Sequence, residues 1–82
     1  MTVPEAPARF TRVRWRQGYD VAEVDQFVRR LLATLDGHPV DSPVTSDEVR
    51  NVAFRSSRFR GGYDVGEVDR FLDLAIGWLN GR

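Results

Sequence analysis

The chain carries the same segment twice. Residues 18–27 read GYDVAEVDQF and residues 62–71 read GYDVGEVDRF, eight identities in ten positions at an offset of 44. Chance agreement at about one position in twenty does not produce such a block, so the fold has to be built from two copies of one unit. The match extends outward, pairing Phe10 with Phe54, Arg14 with Arg58, Trp15 with Phe59, Arg16 with Arg60 and Leu35 with Leu79. Within a single domain spanning 1–82, repeat one covers 10–35, a linker covers 36–44, and a short lead-in helix with repeat two covers 45–79.

Each copy predicts a helix with a capped start. Asp20 stands at the N-cap with Glu23 three residues on, and Asp64 and Glu67 repeat the capping-box spacing. Tyr19 with Val24, and Tyr63 with Val68, have the spacing of a hydrophobic staple. Val24, Val28, Leu31 and Leu35 then follow an apolar period, widened by Val21, Phe27 and Leu32, until Asp36-Gly37 stops the helix. The second stripe runs from Val65 to Leu79. Gly77 inside it predicts either a close backbone approach or early fraying, since glycine costs a helix about 1 kcal/mol relative to alanine. Gly18 and Gly62 precede the caps, where a positive φ is expected. Thr45-Ser46-Asp47-Glu48 starts the lead-in helix toward Val52, whereas 2–8 holds two prolines and no apolar period, so a frayed or extended N-terminus is expected. Phe10, Phe27, Phe54 and Phe71 are assigned to the core.

A chain this short buries only about 60% of its unfolded surface, and it has no cysteine to supplement packing with disulfides or thiolate-metal bonds. The twelve basic and twelve acidic residues cancel in number but not in position. Four arginines and no acid lie in 9–16, and three arginines and no acid lie in 55–60. The acids gather at the helix starts and in the linker. No segment has the roughly 18 apolar residues of a membrane span, and the first ten residues lack a signal-peptide core.

Catalysis is not expected. The one histidine, His38, lies in the linker, no serine stands near a base at a known spacing, and the carboxylates are accounted for by helix capping. No metal-ligand spacing and no phosphate-cradling glycine loop is present, so no cofactor is implied. The loops carry the signal instead. Arg14-Trp15-Arg16 and Arg58-Phe59-Arg60 each set a large aromatic between two arginines at a bend. That chemistry suits the water–lipid interface: rings enter the upper acyl region and each arginine near anionic headgroups contributes about 1 kcal/mol. Trp15, Phe59, Arg14, Arg16, Arg58 and Arg60 are the candidate membrane-binding residues. The competing expectation folds Trp15 and Phe59 back over the helices, while the arginines pair with Asp20, Glu23, Asp64 or Glu67. The protein is then a soluble interaction module that binds a coiled-coil partner through its apolar helix faces. Nucleic acid is a poorer fit, because the chain is neutral overall and acids begin both helices.

The GYDV-x-EVD-x-F block, the upstream phenylalanine and the Arg60-Gly61-Gly62-Tyr63-Asp64 turn resemble the N-terminal domain of DivIVA proteins, bacterial cell-division and polar-growth scaffolds. Thr45 to Phe54 resembles that domain's helical lead-in. The resemblance implies a parallel dimer with crossed loops whose aromatic and basic residues enter membrane, roles that fall here on Phe59 with Arg58 and Arg60, and on Trp15 with Arg14 and Arg16. It implies a non-enzymatic, membrane-associated adaptor in the cytoplasm, peripheral to the inner face of the cell membrane at septum or poles, with division or polar-growth proteins as partners. The fold expected is all-α: two loop-plus-helix repeats packed as an intramolecular pseudo-dimer or in a homo-oligomeric, coiled-coil-like bundle.

Overall fold

The computed structural model describes residues 10–39, 41–58 and 61–81. Phe59, Arg60 and the N-terminal stretch expected to fray lie outside the described residues.

The elements run β1 (Arg12–Val13), β2 (Gly18–Tyr19), α1 (Val21–Leu35), α2 (Ser46–Asn51), β3 (Ser56–Ser57), β4 (Gly62–Tyr63) and α3 (Val65–Asn80). The all-α expectation is therefore corrected: the protein is α/β, with three helices and a four-stranded antiparallel sheet among the described residues. Strands of two residues are too short to leave an alternating pattern, and their partners lie in the other repeat. Neither propensity nor periodicity in one window can reveal them.

Sheet order is β1-β4-β2-β3. Arg12 pairs with Tyr63, Val13 with Gly62, Gly18 with Ser57 and Tyr19 with Ser56, while Tyr19 meets Tyr63 at the centre. All of these pairings join one repeat to the other. The backbone just outside the sheet keeps the same rule: Asp20 N–H donates to the Arg55 carbonyl at 2.9 Å and Asp64 N–H to the Thr11 carbonyl at 2.8 Å. Aromatic packing keeps it as well. Phe10 meets Tyr63 and Phe71 edge-on at 5.2 and 5.5 Å, and Phe54 meets Tyr19 and Phe27 at 5.3 and 5.8 Å. These pairs map onto each other under the 44-residue offset, so the two repeats are related by an approximate two-fold axis through the Tyr19–Tyr63 pair.

The helices start as their sequences require. Asp20 Oδ1 accepts the Glu23 N–H and Asp64 Oδ1 accepts the Glu67 N–H, each at 3.0 Å, which satisfies a donor that the first turn leaves without a partner. The reciprocal half of the box is different. Glu23 Oε1 accepts the Arg55 N–H at 2.8 Å, and Glu67 accepts both the N–H and the hydroxyl of Thr11 at 2.7 Å. The glutamates reach across to the other repeat because the cap residues' own N–H groups are already used by Arg55 and Thr11.

The two long helices bury Val24, Phe27, Val28 and Leu31 of α1 and Val68, Phe71 and Leu72 of α3 in one core, with Val44 and Val49 covering it from the linker side. Phe10 and Phe54 are half-buried against that core. The linker is fastened to α1. Thr34 Oγ1 accepts the Val44 N–H at 3.0 Å and donates to the Arg30 carbonyl, while Arg30 holds the Ser42 carbonyl at 2.7 Å and the Glu48 carboxylate.

Three glycine expectations change. Positive φ occurs at Gly37, which ends α1, and at Gly61, not at Gly18 or Gly62. Gly18 and Gly62 are glycine because β2 and β4 touch there: a β-carbon on Gly18 would lie 2.8 Å from the Tyr63 carbonyl oxygen, and one on Gly62 would lie 2.8 Å from that of Tyr19. At Gly77 there is neither close approach nor fraying, since nothing lies within 4 Å of a β-carbon and α3 continues to Asn80.

Candidate functional site

The interlocked sheet brings the two loops together. Val13 at the end of β1 pairs with Gly62 at the start of β4, and Ser57 at the end of β3 pairs with Gly18 at the start of β2. Residues 14–17 therefore lie beside Arg58 and Gly61. Trp15, Arg16, Gln17 and Arg58 line a shallow recess of about 330 Å³, and Arg12, Arg14, Trp15 and Gly61 line another of about 540 Å³. Trp15 borders both and is 88% exposed, so it does not fold back over the helices. Arg14 and Arg58 are exposed beside it.

The loop cations divide into held and unheld groups. Arg16 forms an ion pair with the Asp64 carboxylate, which also keeps the loop close to the start of α3. The Glu67 N–H and then the Arg16 guanidinium hold the Asp64 carboxyl below the usual aspartate range. Arg12 places its guanidinium 5.7 Å from the Tyr63 ring centroid. Gln17 donates to the Ser56 hydroxyl and ties the same loop to β3. Among the described residues, ion pairs engage Arg16, Arg30, Arg50 and Arg55, so Arg12, Arg14 and Arg58 have no carboxylate within 4.0 Å.

The nearby acids already have partners within the fold. Asp20 and Asp64 accept from helix N–H groups, and Glu23 and Glu67 bind the opposite repeat as described above. Asp25 and Asp69, one turn further along the helices, have a different kind of partner. Asp25 Oδ1 accepts the Tyr63 hydroxyl at 2.7 Å and Asp69 Oδ1 accepts the Tyr19 hydroxyl at 2.8 Å. Burial, and then the bond to Asp69, push the Tyr19 phenol up to about 12, and burial and Asp25 raise Tyr63 in the same way. Both copies keep Asp at the fifth helical position, too far along for a cap. That was the available signal for these bonds.

Of the six loop residues named from sequence, the structure groups Arg14, Trp15, Arg16 and Arg58, while Phe59 and Arg60 lie outside the described residues. Among the described residues no helix is long and apolar enough to cross a membrane. Compared with known proteins, the chain matches no family model, no curated protein and no solved structure.

Proposed function

We propose that this protein is a non-enzymatic, DivIVA-like adaptor of bacterial division or polar growth that docks on the anionic inner face of the cell membrane through its joined loops. The observation that carries this reading is Trp15, 88% exposed among Arg14, Arg16 and Arg58 rather than packed on the helices. An indole at a loop tip inserts shallowly while arginines pair with headgroup phosphates. Arg14 and Arg58, which no carboxylate among the described residues engages, contribute about 1 kcal/mol each and make the docking electrostatic and reversible. The Asp64 carboxylate is neutralised by Arg16, which leaves Arg14 and Arg58 as the cations of the loop face that meet the membrane.

Sedimentation with anionic and neutral liposomes tests this. Salt-sensitive pelleting with anionic vesicles that is lost in folded Trp15→Ser/Phe59→Ser supports docking, and protein that stays in the supernatant with both lipids refutes it. The second reading, a protein-interaction module using its helix faces, is favoured by Leu74, which is 56% exposed on α3. In that case Leu74→Ser weakens partner capture and leaves vesicle binding alone.

A further inference from the structure

We infer that a second copy of this chain is a binding partner, through reciprocal exchange of repeats. In the sheet, every pairing among the described residues joins repeat one to repeat two: Arg12 to Tyr63, Val13 to Gly62, Gly18 to Ser57 and Tyr19 to Ser56. Neither repeat holds a complete strand pair by itself. The Glu23 and Glu67 carboxylates, the tyrosine hydroxyls and the contacts of Phe10 with Tyr63 and of Phe54 with Tyr19 likewise run across the two-fold axis. Each repeat therefore needs a complementary half, and nothing in that interface distinguishes a half on the same chain from the same half on another.

Only the linker decides between them. It is closed by the Gly37 and His38 N–H groups on the Thr34 and Ala33 carbonyls and by Arg30 on the Ser42 carbonyl. The inter-repeat contacts are unchanged when repeat one of each chain meets repeat two of the other. Exchange then costs the linker's closure and the entropy of association, the low-cost route by which proteins swap domains. With its closure released, a linker this short sets an effective concentration on the order of millimolar, so dilute chains stay closed and concentrated ones exchange. The exchanged pair carries two loop clusters on one particle.

Complementation between full-length variants tests this directly. Val24 and Val68 are equivalent under the offset and fully buried, so Val24→Asp cripples repeat one and Val68→Asp cripples repeat two. Each variant alone is expected to lose its helical circular dichroism. An equimolar mixture is expected to regain about half of the wild-type signal, with the mass of two chains by light scattering. A mixture spectrum equal to the average of the separate spectra overturns the proposal.

Linker length provides a measurement that needs no unfolded partner. Deleting 36–44 leaves Thr45 alone between Leu35 and Ser46, too few residues to reverse the chain, since antiparallel helix connections take about 2–5. The deletion is expected to shift the protein to dimer, while lengthening the linker with glycine and serine shifts it toward monomer. A dimer fraction independent of linker length, or a folded monomeric deletion, overturns exchange.

Discussion

Gly18 and Gly62 face each other where β2 meets β4, each without room for a β-carbon because the other strand's backbone stands 2.8 Å from where it would lie. The obstacle is backbone on both sides, so no side-chain rotation can relieve it. Gly18→Ala and Gly62→Ala are expected to destabilise by about 2–3 kcal/mol each, at the upper end of overpacking costs. Urea unfolding checks this. Because one crossing is disturbed in both cases, the double variant is expected to lose less than the sum.

Removing either tyrosine hydroxyl separates the repeats' polar contacts without disturbing the rings. Tyr19→Phe and Tyr63→Phe are each expected to cost about 1 kcal/mol in chemical denaturation. The same bonds set an alkaline limit. Tyr19 is raised from 10.0 to about 12, so the folded state holds its proton more tightly than the unfolded chain does. That stabilisation is full below pH 10.0 and is lost as pH rises toward about 12. The phenylalanine double variant is expected to show a flatter stability profile across that interval.

Acid acts through Asp64 in the opposite sense. Its folded-state value lies below the ordinary 3.8, so its contribution is present above that pH and fades as pH falls through the lowered value. Asp64→Asn is expected to reduce the acid sensitivity of unfolding, followed by circular dichroism between pH 5 and 2. Its loss also frees the Arg16 guanidinium.

Trp15 touches too little of the fold to stabilise it. Trp15→Ser is expected to change unfolding free energy by less than about 0.5 kcal/mol, as for exposed positions generally. In a Trp78→Phe background the remaining indole emission reports Trp15 alone, and a blue shift with anionic vesicles is the expected result. Arg14→Ser and Arg58→Ser are each expected to weaken vesicle binding about fivefold, the equivalent of about 1 kcal/mol.

Much of the helical frame was readable because its determinants are local. Asp20 and Asp64 cap the turns that follow them, Gly37 stops α1, and the apolar stripes announce the buried faces. The sheet was not readable, because Arg12 finds its partner in Tyr63 and no window of sequence contains both. The glutamates of the capping boxes were misdirected for the same reason: spacing identifies a neighbour along the chain, while Arg55 and Thr11 arrive through tertiary structure. At the loops, residue types suggested the chemistry, but the joining of Trp15 with Arg58 comes from strand order alone.

Pairing that always runs to the distant repeat also sets the order of events during synthesis. When repeat one leaves the ribosome, β1 and β2 have no strand to receive them until β3 and β4 follow. At about 5–20 residues per second the nascent chain spends seconds in that condition. The helix of repeat one can form early from its local cap, but its loop must stay open and unpaired. A sheet made wholly of distant partners has high contact order, so this small protein is expected to fold more slowly than helical domains of its length.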